Sequence, residues 1–400
     1  MRPINTAPMT ERCAPLAHAL RSAAQALGLA LAASAWLHTS ALAQTPASPI
    51  IVGEITPLTG PAATVGTRLN QVNRLWADDL NRRGGINGRR IELVTCNDES
   101  RPERAASCTR DLIERGTSLF LLNALTAGVR ASMPLLTNGP VALVLTPNIL
   151  PAPGTFVFQV SPSETDLTQA IAQWLRAGKA SSLAVVAATD ASGESAIQAA
   201  RKVFPAAGID MRLARIDLRA TDASSQLAAV AGEGVGAIYS AYSGGGAGVV
   251  VKSYRNFDLT LPLIVSYANI NAAFLRLIRE DMPRRLLGTS ISALVPEELA
   301  SSAARARTSA FAQRYQESYN EPPDMLNLIG KLSVDTAEAV LRNVKNPADA
   351  RAVKQFLETT AVESLHTIRF SPESHVGLGE ADTMVVEWRG DRWARAGAVR

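Results

Sequence analysis

Ile50-Ile51-Val52-Gly53-Glu54-Ile55 opens the stretch that decides the fold. A Gly/Pro-rich turn, Pro57 to Gly66, follows this apolar run. Leu69, Val72, Leu75, Trp76 and Leu80 then recur on one face at helical spacing. Gly84-Gly85 stops that helix, since glycine takes up a left-handed cap without steric cost, and residues 91–95 read as a second strand. Strand, helix, strand in that order is the unit of a parallel sheet covered by helices.

The alternation continues outward. Ser100-x-x-Glu103 resembles a capping box, with Pro102 in the first turn of the next helix. Strands are predicted at 118–123 and 141–145, with a helix near 127–136 between them. Short apolar runs without alternation suit strands buried on both faces. After a break at 156–162 the pattern restarts, with strands at 183–187, 211–216, 235–240, 261–265 and 286–292. The helices between them are predicted at 166–176, 194–206, 224–231, 246–256 and 271–278. Beyond Pro296 the pattern turns helical, at 303–319, 331–344 and 347–359, before strands at 367–370 and 383–388.

The first residues bear on the compartment. Arg2, Arg12 and Arg21 flank an apolar run at 23–37, and Ala41-Leu42-Ala43 supplies a small-x-small cleavage signal before Gln44. Residues 1–43 therefore read as a secretory signal peptide rather than an anchor, the run being interrupted by His38 and Thr39 and shorter than the roughly 20 residues a span needs. Cys13 precedes the run and is no lipoprotein acceptor. Removing three Arg and one Glu leaves 37 basic and 35 acidic residues of the original 40 and 36. So balanced a chain, with no basic stripe, argues against a nucleic-acid partner.

An oxidising compartment permits Cys96 and Cys108 to pair. One ends a predicted strand and the other sits two turns into a helix, so a bridge needs a local approach to within ~7 Å. Two Cys and the scattered His366 and His375 make no zinc spacing, and neither metal nor cofactor is expected.

Several motifs together carry a resemblance. They are Asn81-x-x-Gly84-Gly85-Ile86-x-Gly88-Arg89, the turn Pro57-Leu58-Thr59-Gly60-Pro61 with Gly66, and Asp98 with Pro102, Ala105 and Leu112-Ile113. Phe158 to Ser163 and Arg369-Phe370-Ser371-Pro372 with Gly377 extend it over essentially the whole mature chain. The chain resembles the branched-chain-amino-acid (Leu/Ile/Val-binding) solute-binding proteins of ABC transporters, which have the type I periplasmic binding fold. The resemblance implies an α/β protein of two doubly wound parallel-sheet lobes joined by a three-crossover hinge. Residues 44–161 and 296–366 would form lobe 1, and 162–295 and 367–400 lobe 2. It also implies a monomeric periplasmic receptor that captures a small solute, an amino acid or a small organic acid or amide, and hands it to an inner-membrane permease. A sensor partner in place of the permease is the alternative.

Open α/β sheets bind ligands at the carboxyl ends of their strands, beside helix N-termini. In lobe 1 the resemblance points to Thr59 in the first turn, to Asn123 and Thr126 after the third strand, and to Asn148 after the fourth. Thr126 reads equally as a helix N-cap. In lobe 2 it points to Ser192, Tyr242 and Tyr267, although either tyrosine reads equally as a packed wall residue. Tyr267 stands near where amino-acid binders carry an acidic residue for the ammonium group, leaving Asp190 as a substitute. The run Ser243 to Gly248 fits neither a dinucleotide fingerprint nor a phosphate loop. It reads as an anion nest or a flexible turn. The rival class is a serine hydrolase using Ser243, Asp335 and His366, but the elbow lacks its first glycine and no enzyme is expected.

Overall fold

The structure, a computed structural model, describes residues 48–256 and 260–399; the signal peptide expected at 1–43 lies outside them. Five strands form the first sheet: β1 (Ile50–Thr56), β2 (Ile91–Asn97), β3 (Leu119–Leu122), β4 (Val141–Val144) and β5 (Val157–Gln159). Their order is β2-β1-β3-β4-β5 and every pairing is parallel, with Val52 of β1 opposite both Leu93 and Leu119. Residues 156–162, read as a break, thus contribute an edge strand. Every residue of β3 and β4 is buried. Helices α1 (Ala63–Arg82), α2 (Pro102–Glu114) and α3 (Thr126–Ser132) link the first four strands.

The Asn81 motif has a clear physical role. Its carboxamide accepts from Ile91 N–H at 2.8 Å and donates to Ile91 C=O at 2.9 Å, fastening the end of α1 to the start of β2. Gly85 closes the turn at φ +75°, where a Cβ would lie 2.0 Å from the carbonyl oxygen of Arg89. The expected capping box at Ser100 is absent: the N-cap of α2 is Arg101 and no side chain caps it. Ser100 Oγ instead accepts from Ala62 N–H and donates to Thr59 C=O, stitching the first turn to the loop after β2.

Cys96 of β2 and Cys108 of α2 form a disulfide, with Cα atoms 5.8 Å apart. Cys108 is fully buried on the face of α2 that packs on the sheet. Replacing both cysteines by serine is expected to lower the unfolding free energy by about 2–3 kcal/mol, as for loops of this order. Urea melts check it, and an unchanged midpoint would mean that the link contributes nothing.

The chain next builds the second sheet, with β6 (Ser182–Ala188), β7 (Asp210–Ile216), β8 (Ile238–Ala241), β9 (Leu263–Val265) and β10 (Leu286–Ile291). Between them run α4 (Glu164–Ala177, preceding β6), α5 (Ala191–Ala206), α6 (Ser224–Val230), α7 (Ala247–Asn256) and α8 (Ala272–Leu277). A helical return follows: α9 (Ser302–Tyr319), α10 (Met325–Asn343) and α11 (Ala350–Thr359), then a ribbon of β11 (Val362–Glu363) and β12 (Thr367–Ile368). Helix α10 packs along α1 and over β3 and β4, so this return belongs to the first sheet. It begins six residues before the predicted 331, because Asp324 and Asn327 form a capping box there. Antiparallel strands β13 (Thr383–Trp388) and β14 (Trp393–Arg395) complete the second sheet, ordered β14-β13-β10-β9-β8-β6-β7.

The chain therefore crosses between the sheets three times: after β5, after β10 and before β13. Residues beyond 366 stay with the first sheet longer than the strand-like Arg369-Phe370 suggests. Val376 bridges Gln159 of β5, and Ile368, Phe370 and Leu378 pack in the core beneath α1 and α10. We propose 49–161 with 296–378 as lobe 1, and 162–295 with 379–399 as lobe 2. His366 ties two crossings together: its Nε2 accepts from Ala293 N–H at 3.3 Å, and its Nδ1 lies 3.0 Å from Asp382 Oδ1.

Candidate functional site

The carboxyl ends of β3 and β4 meet lobe 2 directly. Thr126 is the first residue of α3, and the N-cap is Leu125 with no side-chain bond, so Thr126 does not act as a cap. Its hydroxyl lies 3.1 Å from that of Thr146 and accepts from Asn148 Nδ2 at 3.4 Å. Asn148 Nδ2 also donates across the cleft to Ser192 Oγ at 3.1 Å. Arg130 of α3 reaches the same two elements, with its guanidinium 3.3 Å from Asn148 C=O and 3.4 Å from Ser195 Oγ. From the second lobe, half-buried Tyr267 hydrogen-bonds to Thr146. The structure thus brings together Thr126, Asn148, Ser192 and Tyr267.

Asn123 lies just past β3, buried, with its backbone N–H on Ile55 C=O. Neither atom of its carboxamide makes a hydrogen bond within the protein, and neither does Asn148 Oδ1. Among the described residues the other buried side-chain atoms without partners are hydroxyls, of Thr117, Ser161, Ser182, Ser240, Thr289 and Ser333. Buried polar groups are normally hydrogen-bonded, and each exception calls for a physical reason. These unpartnered atoms of Asn123 and Asn148 sit past the carboxyl ends of β3 and β4, where a ligand of this architecture binds.

Two further expected residues are engaged within their own lobes. Thr59 is exposed, and its hydroxyl accepts from Asn97 Nδ2 at 2.9 Å, so it serves the loop after β2. Tyr242 is buried in the core of lobe 2 and donates to Leu218 C=O at 3.0 Å. Its ring explains part of the glycine run: a Cβ on Gly246 would lie 2.1 Å from Tyr242 Cζ. The first N–H of that run, on Gly244, is taken by Asn269 Oδ1 at 2.8 Å, so the run is a packed turn rather than an open anion nest. Asp190 caps α5, one carboxylate oxygen accepting from Gly193 N–H at 2.8 Å.

The hydrolase set is not assembled. Ser243 Oγ lies 3.1 Å from Ser266 Oγ, Asp335 pairs with Lys331 and Ser364, and His366 faces Asp382.

Sequence reasoning missed Glu164, Tyr239 and Thr146. Glu164 opens α4 immediately after the first crossing, and its N–H donates to Pro147 C=O in the loop that carries Asn148. Its carboxylate accepts from Tyr239 OH at 3.0 Å. Burial pushes the Glu164 carboxyl up to about 7, against the pull of the Tyr239 hydroxyl. Burial, and then the Glu164 charge, push both Tyr239 and Tyr267 above the usual phenol range. Thr146 stands in the loop singled out after the fourth strand, but Tyr239 is hidden within an apolar run.

A groove of about 760 Å3 lies on the outer face of lobe 1, with Trp76 and Phe311 among its walls. Most charged side chains there are paired, among them Arg314 with Asp79 and Arg342 with Glu338. The cleft differs in holding unpaired buried carboxamides, and on that ground it is the stronger candidate site.

Two α/β lobes, three crossings and polar groups converging between the lobes define a two-lobed binding protein. Residues 49–392 match the family model described as periplasmic binding protein. The chain belongs to that family, whose members are solute-binding proteins. It is 32% identical over 100 residues to the Leu/Ile/Val-binding protein BraC3 of Rhizobium johnstonii, covering 24% of this chain and 26% of that protein. It is 26% identical over 117 residues to the Leu/Ile/Val-binding protein homolog 3 of Brucella melitensis, covering 29% of this chain and 32% of that protein. The chain thus aligns with about a quarter to a third of the length of these relatives. A leucine-binding protein of Thermotoga maritima superposes with a TM-score of 0.74 at 15% identity, over 88% of this chain and 99% of that one. A solute-binding protein of an ABC transporter from R. palustris, in complex with benzoate, gives 0.70 at 19%, over 87% and 96%. At such identities the two structures share the fold with this chain. No helix among the described residues is long and apolar enough to cross a membrane.

Proposed function

We infer that this protein is the periplasmic solute-binding component of an ABC transporter, closing on a small amino-acid-like solute and delivering it to an inner-membrane permease. It works as a monomer and catalyses no reaction. The observation that carries this reading is the buried polar atoms left without partners after β3 and β4, both carboxamide atoms of Asn123 and Oδ1 of Asn148. A bound solute supplies their missing partners, and its contacts to both lobes favour the closed state. Relatives named for Leu, Ile and Val binding support an amino acid, whereas structures of the same fold include one named for leucine binding and one in complex with benzoate.

The test is a thermal-shift screen of ligand-free protein against amino acids, aromatic acids, dicarboxylates and amides. A solute at 100 times its dissociation constant adds about 2.7 kcal/mol, enough to raise the melting temperature by several degrees in a chain of this size. An amino acid is expected among the hits. No hit in any class would contradict the receptor reading.

A further inference from the structure

The geometry points to Glu164 as the group that binds the solute's ammonium nitrogen, in place of an acidic residue after β9, so that specificity for amino acids over their des-amino analogues rests on the first turn of α4. This rests on the solute-receptor reading and names the part of the solute that the site selects.

Glu164 is 8% exposed, and its one side-chain hydrogen bond comes from Tyr239. No Lys, Arg or His pairs with it among the described residues, although buried carboxylates are normally paired. The titratable groups that face it are Tyr239 of β8 and Tyr267 after β9, both phenols held neutral by burial. On its own helix, Asp166 is engaged with the Ser163 backbone and hydroxyl. From lobe 1 it meets the loop of Thr146 and Pro147, which carries no charge. The groups that converge on this loop are otherwise neutral, the hydroxyls of Thr126, Thr146, Ser192 and Tyr267 and the carboxamides of Asn123 and Asn148, while the half-buried carboxylate of Asp190, two residues before Ser192, caps α5 through one oxygen. Arg130 is exposed at the rim. A solute that brought only a carboxylate would add a second uncompensated negative charge. One that also brings an ammonium supplies the missing counter-charge, and its carboxylate is left for the hydroxyls and carboxamides. The unpaired Asn123 carboxamide independently marks this cleft as a ligand site.

Two consequences have opposite signs. In the unliganded protein the raised carboxyl contributes stability that is present in acid and is lost as pH rises through about 7. Ammonium binding needs the ionised form, so affinity falls as pH drops below that value, by up to about tenfold per unit.

The experiment pairs each L-amino acid of a panel with the same acid lacking its amino group, using purified wild type, Glu164→Gln and Glu164→Asp, with calorimetry at pH 8 and pH 5.5. Wild type is expected to bind at least one amino acid at pH 8, at least tenfold more tightly than its des-amino partner, and to weaken at pH 5.5. Glu164→Gln should lose tenfold or more at pH 8, with no pH dependence left, and Glu164→Asp should recover part of the loss. Unliganded Glu164→Gln should melt above wild type at pH 8; a merely structural Glu164 would make it melt lower. Equal binding by Glu164→Gln, or preference for the des-amino series, overturns the Glu164 assignment and leaves the receptor reading standing. Wild type that binds no member of either series overturns the assignment, and silence across the wider solute screen as well overturns the receptor reading.

Discussion

Asp324→Ala is expected to destabilise the protein by about 3–5 kcal/mol, the range for breaking a buried ion pair by removing one partner. Asp324 Oδ2 accepts from Arg68 Nε at 2.8 Å, and both residues are buried. Arg68 also reaches Glu321 and the Tyr315 hydroxyl, and Tyr315 in turn donates to Gln71 at 2.7 Å. The same carboxylate caps α10, accepting from Leu326 and Asn327 N–H at 3.1 and 3.3 Å. One substitution thus removes the buried counter-charge of Arg68, leaving it the half-buried Glu321, and uncaps the helix that packs along α1. Asp324→Asn keeps much of the cap and should lose less. Adding Arg68→Met to Asp324→Ala should restore most of the ionic part, leaving roughly 1 kcal/mol for the cap. Urea unfolding of the three variants checks the partition; a full loss in the double variant would show that the charge pair is not the cause. The next residue, Met325, donates its N–H to Ile270 C=O, three residues past Tyr267, so solute binding should weaken with stability.

Asn123→Leu is expected to have the opposite pattern, a more stable protein that no longer responds to solute. Each unpaired buried polar group costs about 1–3 kcal/mol, and an apolar group of similar shape removes that cost. The unliganded variant should therefore melt above wild type. Its affinity for the solute found by screening should fall by about 10- to 100-fold, corresponding to ~1.4–2.8 kcal/mol. Chemical denaturation and calorimetry on one preparation give both numbers. A variant that is less stable yet binds normally would assign Asn123 to the fold rather than to the site.

The regular alternation of the first lobe was legible because strands buried on both faces leave uninterrupted apolar runs, and because Asn81 and Gly85 are required by a turn of fixed geometry. The positions of Asn123, directly after β3, and of Asn148, in the loop after β4, could be read for a related reason: an apolar run that gives way to polar residues marks a strand end. The packing of Tyr242 against lobe 2 was not legible, because side chains alternate across a sheet and a one-residue shift in register exchanges one face for the other. The hydrogen bond that Asn97 donates to Thr59 joins residues 38 apart, and no local pattern encodes it. Glu164 stood in plain view as a favourable acidic residue at a helix start. Its burial depends on Tyr239, 75 residues further along, and no local pattern encodes that.

The most direct test of the central claim is a crystal structure of the protein with the first solute that stabilises it. The solute is expected between the lobes, hydrogen-bonded to Asn123 and Asn148, with Ser192 and Tyr267 closing over it from lobe 2. A solute bound instead in the groove beside Trp76 and Phe311, with both carboxamides still unpaired, would contradict it.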